Sequence, residues 1–271
     1  VDRDPTIETF VELPPCPGVA EAVRLRRDVE VTTVPWHDVV VADDALVNET
    51  ADALQVARRG APGLFGAIPR ARRGQVTPMR VISIMNQKGG CGKPTTAVNL
   101  AGALRLRDQS VLVVDLDPQA HATMGLNGRL SSPIARTIHE SLMRRASLEP
   151  VLVQVQPGFD LAPSGDDLFF AERDLGFGEE GEDRLSDCLR MTPRRYDFVV
   201  IDCPPSLGVL TFNALRACDE ILIPVEIGFF SLNGVGNFLR SLQRDRKRWL
   251  SEKRIRALAT MFDRQTTFAR E

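Results

Sequence analysis

The run Asn86-Gln87-Lys88-Gly89-Gly90-Cys91-Gly92-Lys93-Pro94-Thr95-Thr96 gathers three glycines and two lysines without an acid. Gly89, Gly90 and Gly92 let successive backbone N–H groups turn toward an anion with no Cβ in the way. Lys93 would reach the outer oxygens of such an anion as a point charge. An apolar run, Met79 to Met85, precedes the loop, and a helical pattern through Thr95, Ala97, Leu100, Ala101 and Leu104 follows it. Strand, glycine-rich turn and helix together make a phosphate cradle. Pro94 breaks the usual pattern, because it stands where a Ser or Thr hydroxyl normally ligates Mg2+.

Two further stretches carry acids. Val111-Leu-Val-Val-Asp115-Leu-Asp117-Pro118-Gln119 places two carboxylates just past a hydrophobic strand, and Phe198-Val-Val-Ile-Asp202-Cys203-Pro204-Pro205 ends a second one in an acid. Open α/β sheets bind ligands at such strand ends. A carboxylate there can hold a Mg2+ water, since Mg2+ keeps several waters and few direct protein ligands. Each Asp alone reads equally well as a helix cap or turn residue. The glycine-rich loop and both acidic tips in this order read as one site.

The elements that must position these groups alternate. Strands are expected at Met79–Met85, Ser110–Asp115, Val151–Val155, Phe159–Ala162, Tyr196–Asp202, Glu220–Val225 and Arg254–Met261, with helical patterns between most of them. Continuous apolar strands such as Val111–Val114 suggest a sheet buried on both faces. The expectation is an α/β fold, a doubly wound, mostly parallel sheet flanked by helices. No internal repeat is evident. Residues 1–60 read as a small α/β appendage, with strands at Val29–Val34 and 38–42 and a helix ending before Gly60. Residues 61–78, rich in Pro, Gly and Arg, read as a linker. Arg70, Arg72 and Arg73 there are either solvated or touch DNA.

The chain has 271 residues, room for one large α/β domain plus an appendage. A formal net charge of −2 gives no bulk attraction to polyanions, so nucleic-acid binding would need a local patch. The five cysteines (Cys16, Cys91, Cys188, Cys203 and Cys218) form no CxxC pair and suggest neither zinc nor an iron–sulfur cluster. Their odd, scattered count fits a reducing cytosol. No membrane-span-length apolar run and no signal peptide are visible. The chain begins at Val1 and stops at Glu271 straight after a strand-like segment, so a piece of a longer protein is expected.

Residues 79–271 resemble the ParA/MinD family of P-loop partitioning ATPases, in its ParA branch. The segments that carry the resemblance are NQKGGCGKPTTAVNLAGAL, VLVVDLDPQAHAT, YDFVVIDCPPSLGVLTFNAL, ILIPVEIGFFSL and ALATMFDRQT. The resemblance implies a deviant Walker A loop, Lys88 to Thr95, that binds ATP with Mg2+. It implies that Lys88 crosses to the partner's nucleotide in a sandwich homodimer. It also implies that Lys93 contacts the β and γ phosphates, that Asp117 positions the attacking water, and that Asp115 and Asp202 lie near the metal and its waters. Phosphoryl transfer needs little beyond such positioning and charge neutralisation. A ParB-like activator and non-specific DNA are the implied partners. A basic helix and turn, Arg240, Arg244, Arg246, Lys247, Arg248, Lys253, Arg254 and Arg256, would supply phosphate contacts, with Arg246, Lys247 and Arg248 at its centre. A solvated helix face is the other reading, and Arg264 and Arg270 offer a second basic place.

The departures from the family qualify this. GKPTT replaces GKTTT, which removes a metal ligand and a backbone donor together. Thr95 is about 100° away around a helix. Weakened Mg2+-ATP binding and impaired hydrolysis are therefore expected. An engineered substitution or a sequence error would read the same. His121 stands where the family often has Asn and reads as a surface loop residue. Cys91 takes a position where a small residue packs. The segment lacks the family's last strand and helices, so 79–271 is expected to be a C-terminally incomplete domain. Two alternatives remain: a degenerate, nucleotide-gated scaffold or binding module, and a MinD-like positioning ATPase with a C-terminal amphipathic membrane helix.

Overall fold

The computed structural model describes residues 29–33, 79–176, 178–226, 229–250 and 253–261. The elements expected in 1–28 and 34–78, with Cys16, Arg70, Arg72 and Arg73, lie outside the described residues, as do Arg264 and Arg270.

Among the described residues, eight strands form one sheet. They are β1 (Val29–Thr33), β2 (Arg80–Ile84), β3 (Val111–Asp115), β4 (Val153–Gln156), β5 (Phe159–Ala162), β6 (Phe198–Asp202), β7 (Glu220–Glu226) and β8 (Arg254–Thr260). The spatial order is β1-β8-β7-β2-β6-β3-β5-β4. Every pairing is parallel except β4 with β5. Val29–Thr33 therefore extends the main sheet at one edge, beside β8.

The central strands β2, β3 and β6 are buried on both faces, and the period-2 alternation of side chains divides them between two apolar layers. Val81, Leu112, Val114, Val199 and Ile201 point into one layer. Ile82, Ile84, Val111, Val113, Phe198 and Val200 point into the other. The helices cover these layers: α1 (Lys93–Arg105), α2 (His121–Asn127), α3 (Ile138–Arg144), α4 (Leu168–Leu175), α5 (Glu179–Glu182), α6 (Arg184–Met191), α7 (Val209–Ala217) and α8 (Phe229–Leu250). Helix α1 buries Lys93, Thr96, Ala97, Leu100, Ala101 and Leu104. That i, i+3, i+4 stripe seats it across β2, β6 and β3.

Three starts differ from expectation by two residues, each for a local reason, and the remaining strand ends shift by at most one. The strand expected from Val151 begins at Val153, because Glu149–Val151 close a 3-10 turn around Pro150. The strand expected from Tyr196 begins at Phe198. Asp197 is held outside it by Ser110, whose amide and hydroxyl donate to the Asp197 carboxylate at 2.8 Å each. Helix α1 starts at Lys93, not Thr95, and its first bond runs from the Thr96 amide to the Gly92 carbonyl at 2.8 Å. Pro94 is accommodated because a first-turn N–H has no intrahelical partner to lose.

Candidate nucleotide site

Strand register brings the candidate residues together. Asp115 pairs with Asp202 across β3 and β6, and Ile84 of β2 pairs with Asp202 on its other side. The glycine-rich loop leaves β2 two residues later. Loop and both acidic tips therefore meet at the C-terminal edge of the sheet, where an open α/β sheet binds its ligand.

The loop has the backbone expected of an anion cradle at two of its three glycines. Gly90 (φ 75°) and Gly92 (φ 87°) are left-handed, a region that disfavours side chains. Gly89 is not, so its role there is not conformational. Asn86 anchors the start of the loop: its Nδ2 donates to the Pro224 carbonyl at 2.7 Å, and its Oδ1 accepts from the Lys88 amide at 3.0 Å. Residues 87–90 are exposed. Lys88 reaches sideways and pairs with Glu226 at the end of β7. Cys91 is buried, its thiol directed at the Lys88 carbonyl 3.2 Å away, and burial raises its pKa. Lys93 is buried, with Nζ 3.3 Å from that same carbonyl. Pro94 and Thr95 are half-buried in the first turn of α1.

The three acids are not equivalent. Asp115 is fully buried, and the protein engages both its oxygens. Oδ2 accepts from the Thr123 amide and hydroxyl at 2.7 Å each, and Oδ1 accepts from the Asp117 amide at 3.1 Å. Burial still raises its pKa to about 6. Asp117 accepts from the Gln119 amide at 3.0 Å through Oδ1. Ser164 braces the Asp117 carbonyl at 2.6 Å and bonds through its amide to the Thr123 hydroxyl at 3.0 Å. Asp202 is 1 % exposed, and neither of its oxygens accepts a hydrogen bond of standard geometry. Burial first, then the charges of Asp115 and Asp117, raise its pKa well above the usual carboxylate value, while the Lys93 charge and the nearby Cys203 backbone N–H pull it down. A buried, bare carboxylate is costly unless a cation or ordered water satisfies it. A hydrated Mg2+ fits this donor set, an anionic oxygen pair that no hydrogen bond of standard geometry engages.

Sequence reasoning placed the loop and the three acids but missed the residues that hold them. Thr123 lies inside a recognised segment, and its spacing of eight from Asp115 carries no periodic signal. Ser164, Glu226 and Thr260 reach the site only through tertiary contacts. His121, read as a loop residue, opens α2 and is exposed.

The expected basic patch is divided. Arg246, Lys247 and Arg248 lie on α8. Arg254 and Arg256 instead pair with the buried Glu220, at 3.5 and 3.3 Å, and Arg256 is itself buried. Glu220 sits one strand over in register with Arg254, so its charge draws the arginines inward. Lys253 donates to the Cys218 carbonyl at 2.6 Å, just past the end of α7. Arg256 and Lys253 serve the fold, whereas Arg254 pairs with Glu220 while its side chain stays 54% exposed. Among the described residues, no helix is long and apolar enough to cross a membrane.

The AAA domain family matches residues 79–255. A chromosome partitioning protein ParA from Myxococcus xanthus is 38% identical over 207 residues, 76% of this chain and 73% of that protein. A putative plasmid partition protein from Borrelia burgdorferi B31, solved bound to AMPPNP, superposes with a TM-score of 0.63 at 25% identity. The match covers 71% of this chain and 78% of that one. A cobyrinic acid a,c-diamide synthase from Mycobacterium smegmatis, solved with bound ADP and magnesium, gives a TM-score of 0.63 at 35% identity. It covers 71% of this chain and 79% of that one.

Proposed function

The chain belongs to the ParA-type partitioning ATPases, and from that premise we propose that it is a nucleotide-dependent DNA-segregation protein whose hydrolytic step is slowed by Pro94. The observation that carries this reading is the convergence of Lys93 and the bare Asp202 carboxylate beside Asp115 and Asp117. ATP would lie with its phosphates on the 88–95 loop, Lys93 facing the outer phosphates. The cation, when bound, neutralises phosphate charge and orients the γ-phosphoryl group. Asp202 would hold a water of that cation. Asp115, already engaged by Thr123, would fix the strand tip and the Asp117 backbone. Asp117, held by Gln119 and Ser164, would orient the attacking water.

Assembly follows from the loop. Lys88 is its most exposed cation, and crossing to a second subunit's nucleotide would link ATP to a sandwich homodimer. The dimer would hold DNA non-specifically through phosphate contacts centred on Arg246, Lys247 and Arg248 of α8, and a ParB-like partner in the cytoplasm would trigger hydrolysis and release. Pro94 also supports a second reading, a degenerate ATPase that uses bound nucleotide only to gate binding. Turnover separates the two. Pro94→Thr restores the hydroxyl and the N–H, and ATP hydrolysis should rise by orders of magnitude in a phosphate-release assay. Equal turnover in both forms would refute impairment by Pro94.

A further inference from the structure

The segment ALATMFDRQT contributes to the resemblance, yet none of its residues has a role in the reading above. Its strand, β8, nevertheless reaches the glycine-rich loop. Buried Thr260, the last residue of β8, donates its hydroxyl to the Cys91 carbonyl at 2.9 Å. In register, Thr260 sits beside Glu226 of β7, which pairs with Lys88. Earlier along β7, the Leu222 carbonyl accepts from the Met85 amide at 3.0 Å and the Pro224 carbonyl accepts from Asn86. The side of the loop facing β7 and β8 is thus moored from Met85 to Cys91, and Thr260 makes the contact nearest its glycine-rich end.

That contact fixes one particular peptide group. The Cys91–Gly92 peptide is trans, so its carbonyl and its N–H point in opposite directions. Gly92 tolerates both signs of φ, so rotating this peptide would be cheap if nothing held it. Rotated, it would turn a partial negative carbonyl oxygen toward the bound anion in place of an N–H. We propose that Thr260 is a positioning residue for nucleotide binding: its hydroxyl holds the Cys91 carbonyl against β8 and so aims the Gly92 N–H into the phosphate cradle. This rests on the reading of residues 88–95 as a nucleotide loop. The Thr260 methyl group lies 4.0 Å from where a Cβ on Gly92 would fall, so the strand tip also walls that side of the loop.

Two measurements on the full chain test it. The first is titration of a fluorescent ATP analogue in the presence of Mg2+ with the native protein, Thr260→Val and Thr260→Ser. Thr260→Val keeps the side-chain shape and loses the donor, and affinity should fall roughly three- to tenfold, the value of one net hydrogen bond. Thr260→Ser keeps the donor and should bind as the native protein does. The second, without nucleotide, is the alkylation rate of Cys91 read by peptide mass mapping. It should rise in Thr260→Val and not in Thr260→Ser. If Thr260→Val does not fold by circular dichroism, Thr260→Ala carries the same comparison. Native affinity and native Cys91 reactivity in Thr260→Val would overturn the proposal, as would equal losses in the Val and Ser variants. A native protein that binds no nucleotide, but whose Cys91 reactivity still separates Val from Ser, would sink the nucleotide reading and leave the mooring role standing.

Discussion

Asp202 is the side chain whose environment is hardest to explain by folding alone. Its neighbour Asp115 is equally buried, yet three protein donors satisfy it, while neither oxygen of Asp202 accepts a hydrogen bond of standard geometry. Such a group destabilises the nucleotide-free protein and is tolerated where function needs it. Asp202→Asn should therefore raise the unfolding free energy of the nucleotide-free protein, on the order of 1–3 kcal/mol in denaturant titration at pH 8. The same change should weaken the Mg2+ dependence of nucleotide binding. The gain should also depend on pH. Folding holds this carboxyl above its unfolded value of about 3.9, so the folded state takes up a proton between the two values and loses stability as pH rises through that window. The benefit of Asp202→Asn is then full above the raised value and vanishes below about pH 4. A variant no more stable at pH 8 than the native chain would mean that Asp202 carries no uncompensated charge.

The elements divide by how locally their signals are written. Strands β2, β3 and β6 were legible as unbroken apolar runs because both their faces are buried. Helix α1 was legible from its stripe, and Pro94 misplaced its start by only two residues. Strand β4 was displaced because Pro150 turns the chain before it. The mooring of the loop on β7 and β8 was invisible, since Glu226 and Thr260 meet Lys88 and Cys91 across 138 and 169 residues of sequence. The placement of Arg256 after α8 was invisible for the same reason: sequence cannot tell an arginine facing solvent from one drawn onto a buried Glu220. The α8 residues remain the candidates for DNA. Charge reversal of Arg246 and Arg248 together should weaken retention on non-specific DNA and flatten its salt dependence, in a filter-binding series over ionic strength. Unchanged retention and slope would move the DNA site off this helix.

At the scale of the molecule, parallel strands order the chain so that every βα connection next to the site opens at one edge, where the loop follows β2, Asp117 follows β3 and Asp202 ends β6. That geometry leaves Lys88 exposed beside Glu226 and Lys93 buried, which suits a ligand shared between two copies once Lys88 exchanges Glu226 for phosphate. The direct test is a titration of ATP with Mg2+ on the native chain, following bound nucleotide and molecular mass in the same samples. Saturable, Mg2+-dependent binding should appear with a shift from monomer to dimer mass, and Lys88→Ala should keep the binding while losing the shift. No binding at millimolar ATP, or binding indifferent to Mg2+ and to Asp202→Asn, would contradict a triphosphate site at these three strand tips.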